Sequence, residues 1–257
     1  MSKVYVIKIG GNVIDNPVAT QKFLSDFASI KESKILVHGG GKIATQVAEK
    51  LGVTTQMIDG RRITDEPMLD VVTMVYGGLV NKKVVAQLQA LKCNAIGLMG
   101  ADAGVILAKK RPVGVIDYGF AGDIEQVNAT QLLAFINQDL TPIVAPLTVD
   151  AQGQILNTNA DTMASAIATA LAKAGAEVNL VYCFEKKGVL LNPEDNDSVI
   201  ADINKEKYAQ LKADGIVSKG MIPKLDNAFA ALNEGVKEVH IIHADNVHAQ
   251  SGTKLTL

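Results

Sequence analysis

Cysteine, arginine and aromatic residues are all scarce in this sequence. There are two cysteines, no tryptophan, and Phe, Tyr and Trp together make 4% of 257 residues. Cys93 and Cys183 stand in apolar company far apart in the chain, which excludes a disulfide framework and the paired ligand spacing of a zinc site. Both read as buried, reduced thiols. Net charge is -2, so the basic excess of a protein that binds nucleic acid through phosphates is missing. No apolar run approaches the ~20 residues needed to span a bilayer. Met1-Ser2-Lys3 runs into an apolar segment broken by Lys8, too early for a signal peptide. A cytoplasmic location is expected, with no nucleic-acid or membrane partner. What the chain does have is 48% hydrophobic residues in 27.2 kDa, enough for one large domain or two closely packed ones.

Short apolar, β-branched runs at 4–9, 35–37, 95–99, 141–146, 178–182 and 238–242 predict strands. Helical periodicity marks 19–30, 43–51, 66–91, 130–138, 161–174, 205–214 and 222–234. Strands alternating with helices imply crossover units, hence a mainly parallel sheet with helices on both faces. The stretch 104–127, with Lys109-Lys110-Arg111-Pro112 and several glycines, reads instead as antiparallel hairpins on the edge of that sheet.

The first strand ends in Lys8-Ile9-Gly10-Gly11, placing a lysine and two glycines at the carboxyl end of a parallel strand, where ligands bind in open α/β sheets. The second ends in His38-Gly39-Gly40-Gly41 and enters a helix. Glycines at such junctions expose backbone N–H groups to an anion, although each alone also suits a plain tight turn. Neither loop has Walker A or dinucleotide spacing, and His38 reads as a packed strand residue rather than a base. Arg62 follows Gly60-Arg61 in a loop, and arginine is the natural bidentate partner of a carboxylate; a solvated charge pair fits the pattern equally. Asn157, Asn159 and Asp161 alternate before a helix of small residues, so they point the same way if that segment is extended. Lys224 opens a late helix, where a lysine is ordinarily a surface residue.

The order of these motifs, Lys8-x-Gly10-Gly11, His38-Gly39-Gly40-Gly41, Gly60-x-Arg62-x-Thr64, Asn157-x-Asn159-Ala160-Asp161 and Gly220-Met221-x-x-Lys224, resembles the amino-acid kinase family over essentially the whole chain. The resemblance implies an α/β three-layer sandwich with a central, mainly parallel sheet, the amino-acid kinase (carbamate kinase-like) fold. Residues 1–174 would form an acyl-amino-acid-binding and dimerisation lobe, and 175–257 a nucleotide-binding lobe on the same sheet. It further implies ATP-dependent phosphorylation of the side-chain carboxylate of an N-acylated L-glutamate, acetyl or succinyl, to an acyl phosphate in the second step of arginine biosynthesis. The alternatives are a related kinase of free glutamate or a small carboxylate or carbamate, and a catalytically silent sensor of nucleotide or amino acid.

By the same resemblance Lys8 and Lys224 hold the moving phosphoryl group and Asp161 accepts from both. Gly10, Gly11, Gly39, Gly40 and Gly41 offer amides to phosphoryl oxygens. Arg62 clamps the substrate α-carboxylate, and Asn157 and Asn159, with Gly40 and Gly41, hold its polar groups. Glu185, Gly188, Lys219 and Met221 border the nucleotide, although Cys183-Phe184-Glu185-Lys186-Lys187-Gly188 departs from the family's Thr/Ser-Asp-x-x-Gly turn. ATP with Mg2+ is expected as a substrate complex, with no protein metal ligand and no tightly bound cofactor. A homodimer is implied, paired through the apolar pattern at 68–91, and insensitivity to free arginine is expected because only three residues precede the first strand.

Overall fold

The computed structural model describes residues 3–58, 60–217, 221–247 and 251–257. In chain order the strands are β1 (Lys3–Ile9), β2 (Ser33–His38), β3 (Met57–Ile58), β4 (Arg61–Arg62), β5 (Ala95–Leu98), β6 (Ile106–Lys110), β7 (Gly122–Val127), β8 (Thr141–Val144), β9 (Leu147–Val149), β10 (Ile155–Asn157), β11 (Glu177–Phe184), β12 (Asp202–Ile203), β13 (Glu238–His243) and β14 (Gly252–Leu255). The α-helices are α1 (Gly11–Ile14), α2 (Pro17–Ser29), α3 (Gly41–Lys50), α4 (Glu66–Val72), α5 (Asn81–Ala90), α6 (Ala129–Asn137), α7 (Ala160–Lys173), α8 (Lys205–Ala213) and α9 (Ile222–Asn233).

Eight strands form the central sheet in the order β12-β14-β13-β11-β1-β2-β8-β5, parallel at every pairing except β13 with β14. Strand alternation divides its side chains between two cores. In β1, Val4 and Val6 pack with Met163, Ile167 and Leu171 of α7, whereas Tyr5, Ile7 and Ile9 pack with Phe23 and Phe27 of α2. The mainly parallel three-layer architecture read from the sequence is the one observed. Period 2 continued along β1 places Lys8 on the α7 side, and this register puts the lysine opposite the helix that carries Asp161.

The stretch 104–127 pairs antiparallel as expected, β6 with β7, but not on the edge of the main sheet. It belongs to a separate four-stranded sheet, β10-β9-β6-β7. The Gly100 amide donates to the Leu147 carbonyl at 2.7 Å and the Ile106 amide to the Gly100 carbonyl at 3.1 Å, which turns the chain away after β5. The predicted strand at 141–146 stops at Val144, with Ala145 and Pro146 leading into β9 of the second sheet; proline has no N–H to extend a ladder. The helical pattern at 66–91 is continuous, yet Thr73–Val80 between α4 and α5 is wound as a π-helix. Among the described residues no helix is long and apolar enough to cross a membrane.

Candidate active site

Two glycine loops meet where β1 and β2 end. The Gly39 amide donates to the Ile9 carbonyl at 3.0 Å, and a Cβ on Gly39 would lie 3.1 Å from the Gly11 nitrogen. Any side chain at 39 would therefore push the loops apart. Gly40 has φ of 155°, in the range that favours glycine, and a Cβ there would come within 3.1 Å of the Tyr76 ring. The π-wound segment sets Tyr76 against this loop. Gly10 and Gly40 precede α1 and α3 without a side-chain cap, so the first amides of those helices stay open to an anion.

Lys8 is 8% exposed, and its ammonium lies 2.8 Å from Asp161 Oδ1 in the first turn of α7. Asn159 caps that helix, its side-chain oxygen accepting from the amides of Asp161 and Thr162. The chain turns from β10 into helix at this point, so Asn157, Asn159 and Asp161 do not form one extended row as the alternation suggested. Asn157 donates to Thr64 Oγ1 at 2.9 Å, and both asparagines line a cavity separate from the lysines. Lys224, half-buried in the first turn of α9, makes no ion pair among the described residues. Asp161 is therefore paired with one lysine rather than two. Burial holds the Lys224 amine below its ordinary pKa, with Asp161 opposing and Lys8 adding to the shift.

The lysines line a cleft of about 770 Å³ together with Gly10, Gly11, Gly41, Glu185, Gly188 and Met221. A second cavity of about 200 Å³ holds Gly39, Gly40, Asn157, Asn159 and all three arginines of the chain. The two spaces share Gly41, Met57 and Arg62. Arg62 is 8% exposed and has no carboxylate partner among the described residues. Its guanidinium donates to the Gly41 carbonyl at 2.8 Å, Thr45 Oγ1 at 2.9 Å and Thr55 Oγ1 at 3.3 Å. A buried cation braced only by neutral acceptors is a ready site for an anion. Lys219 lies outside the described residues.

Sequence reading missed Tyr76 and Arg111, which line the second cavity, and Thr45, which lines the cleft. Thr45 sits one turn beyond Gly41 on α3, a spacing that carried no signal until Arg62 reached it. Arg111 is tied to Asp123, its Nε donating at 3.1 Å, and lies over the Tyr118 ring at 5.5 Å. Cys183 lines the cleft, but burial pushes its thiol well up and leaves it unreactive.

His38 is fully buried; Nδ1 donates to the Gly39 carbonyl at 2.7 Å and Nε2 accepts from Asn81 Nδ2 at 3.1 Å. It is a neutral brace behind the glycine loop, as its strand position suggested. Burial lowers its pKa from 6.5 to about 4. The unfolded chain takes up this proton before the folded one does, so the His38 contribution is present above pH 6.5 and is lost as pH falls toward 4. Between pH 7 and 5 it removes about 2 kcal/mol of stability. Urea unfolding at the two pH values measures the loss, and NMR of the His38 ring assigns it; a ring midpoint near 6.5 would show that the proton is accommodated in place.

The sequence profile described as the amino acid kinase family matches residues 3–243. The chain is 58% identical over 262 aligned positions to an acetylglutamate kinase of Cytophaga hutchinsonii, covering 99% of each chain. Among solved structures it resembles smu.665 of Streptococcus mutans, with TM-score 0.80, 27% identity and coverage of 99% and 98%. A Giardia lamblia carbamate kinase bound to AMP-PNP superposes with TM-score 0.72 at 14% identity, covering 99% of this chain and 98% of that one, a likeness of fold alone.

Proposed function

The chain belongs to the amino acid kinase family, and from that premise we propose that it transfers the γ-phosphoryl group of ATP to the side-chain carboxylate of N-acetyl-L-glutamate, the acyl-phosphate-forming step of arginine biosynthesis. The observation that carries this reading is the meeting of the two cavities at Gly41, Met57 and Arg62, one side bearing two ammonium groups and the other a buried arginine. A substrate carboxylate oxygen attacks the γ-phosphorus, the bond to the β,γ-bridging oxygen breaks, and ADP leaves with that electron pair. Two anions must approach each other, so the protein's task is charge neutralisation and in-line positioning.

Lys8 and Lys224 neutralise the phosphoryl oxygens, and Asp161 fixes the Lys8 ammonium through their 2.8 Å ion pair. The amides of the two glycine loops receive the equatorial oxygens, except that of Gly39, which is spent on the Ile9 carbonyl. Arg62 takes the α-carboxylate, while Asn157 and Asn159 hold the amide of the acyl group. Residues 1–174 supply this half and 175–257 the nucleotide half, where Gly188, Val189, Ile216, Val217 and Met221 line a small apolar recess suited to adenine. Magnesium enters on the nucleotide phosphates as part of the substrate. The enzyme works in the cytoplasm as a homodimer, joined through the face on which Met74 and Leu79 are exposed; light scattering reads that mass directly.

A second acyl group is favoured by one feature: Arg61 joins Arg62 around the 200 Å³ cavity, a second arginine beside the one assigned to the α-carboxylate, with Arg111 already paired to Asp123. N-succinyl-L-glutamate would bring a further carboxylate to that second arginine. ADP release and hydroxylamine trapping of the acyl phosphate, run on N-acetylglutamate, N-succinylglutamate, free glutamate and carbamate, test the assignment. Hydroxamate is expected with the acylated substrates only. Hydroxamate from free glutamate, or phosphorylation of carbamate, would move the chain to another branch of the family. Nucleotide binding without turnover on any of them would make it a sensor.

A further inference from the structure

Lys224 reaches the cleft without an ion pair to any carboxylate among the described residues, yet its ammonium is not without a partner. The nitrogen lies 3.8 Å from the centroid of the Phe184 ring, and Lys8 Nζ is 5.3 Å from the same ring. Phe184 is the last residue of β11, where Lys8 of β1 is paired with Tyr182. Period 2 thus puts Lys8, Tyr182 and Phe184 on one face of the sheet. The Phe184 ring stacks on Tyr182 at 6.2 Å with 22° between planes. Tyr182 is buried, and its hydroxyl donates to the Asp161 carbonyl at 3.3 Å. The aromatic platform is therefore tied to the helix that holds the Lys8 counter-ion.

We infer that Phe184 is a positioning residue that seats the Lys224 ammonium over its ring face and so keeps both lysines apart and aimed at the donor phosphate before the nucleotide arrives. The inference rests on the kinase reading given above. Two like charges in a half-dry cleft repel, and Asp161 neutralises one of them. An aromatic face attracts a desolvated cation without carrying net charge. A carboxylate in its place would hold Lys224 more tightly and also repel the incoming phosphate. The ring retains the lysine and yields it to a stronger anion. The charged groups facing Lys224 are Asp161 and Glu185, which favour its protonated form, and Lys8, which opposes it; burial depresses its pKa further. Removing the ring face removes one of the supports of the charged form, so the alkaline limb of activity moves to lower pH.

Phe184→Leu, Phe184→Met and Phe184→Tyr separate this role from packing. Loss of a desolvated cation–π contact lowers kcat about ten-fold in the Leu and Met variants, with KM for N-acetylglutamate within about two-fold of the parent. Tyr, which keeps the face, restores most of the rate. A readout independent of turnover is NMR of the enzyme labelled with 13Cε-lysine, with the Lys224 signal assigned through Lys224→Arg. The ring current shifts that signal upfield in the parent and in Phe184→Tyr, and the shift disappears in Phe184→Leu and Phe184→Met. Parental kcat in those two variants, an unshifted Lys224 signal in the parent, or an equal loss in all three variants would overturn the inference. An upfield Lys224 signal in a protein that makes no acyl phosphate from any substrate would overturn the kinase reading and leave the seating of the lysine standing.

Discussion

Lys224→Ala and Lys8→Ala each lower turnover by a factor of about 100 to 1,000 while the protein stays folded. The size follows from where the charges sit. Lys8 is 8% exposed and Lys224 half-buried, so water does little to replace either of them, and a preorganised cation opposite developing charge is worth roughly 3–4 kcal/mol. The two losses differ in kind. Lys8→Ala strips Asp161 of its 2.8 Å partner and leaves a carboxylate facing the γ-phosphate, so binding of ATP weakens along with kcat. Lys224→Ala leaves no orphaned charge, and its loss falls mainly on kcat. Steady-state kinetics, with circular dichroism as the check on folding, make the comparison. Near-normal turnover in either variant would remove that lysine from the reacting centre.

Arg62→Gln raises KM for the acylated glutamate about a hundred-fold, because two hydrogen bonds from a charged group to a carboxylate are together worth roughly 3 kcal/mol. KM for ATP moves far less. The separation matters because Arg62 already donates to the Gly41 carbonyl and to Thr45 of α3. If the arginine only braced the start of that helix, its loss would disturb the glycine loop and weaken both substrates alike. Arg62→Lys keeps the charge but not the fork, and a KM between the two is expected. Equal rises for both substrates would make Arg62 a structural residue.

Much of this was legible in the chain. Val4, Val6 and the apolar periodicity of 161–174 announced a parallel sheet between helices, since burial on two faces leaves its mark at period 2 and at period 3.6. Lys8, the two glycine loops and the Asn157 to Asp161 run were equally visible, each being a strand-to-helix junction written in consecutive residues. Their order along the chain carried the family. The second sheet was not visible, because the pairing of β6 with β9 joins residues more than 40 positions apart and the edge on which a hairpin settles depends on what already occupies it.

The sequence by itself determined the main strands and helices, the glycine loops at the strand ends and the inventory of charges, because backbone conformation and amphipathic period are properties of short stretches. The tertiary structure alone decided which charges meet. Asp161 takes Lys8 because α7 docks on the face to which the even positions of β1 point. Lys224 comes from α9, more than 200 residues along the chain, and finds an aromatic face in place of a carboxylate because Phe184 ends β11 on that same side. Arg62, ambiguous as one of two adjacent arginines, becomes the buried one because Gly41 and Thr45 of α3 and Thr55 beyond that helix converge on it. Pairings of that kind depend on register and helix docking, which long-range packing fixes and no local pattern encodes.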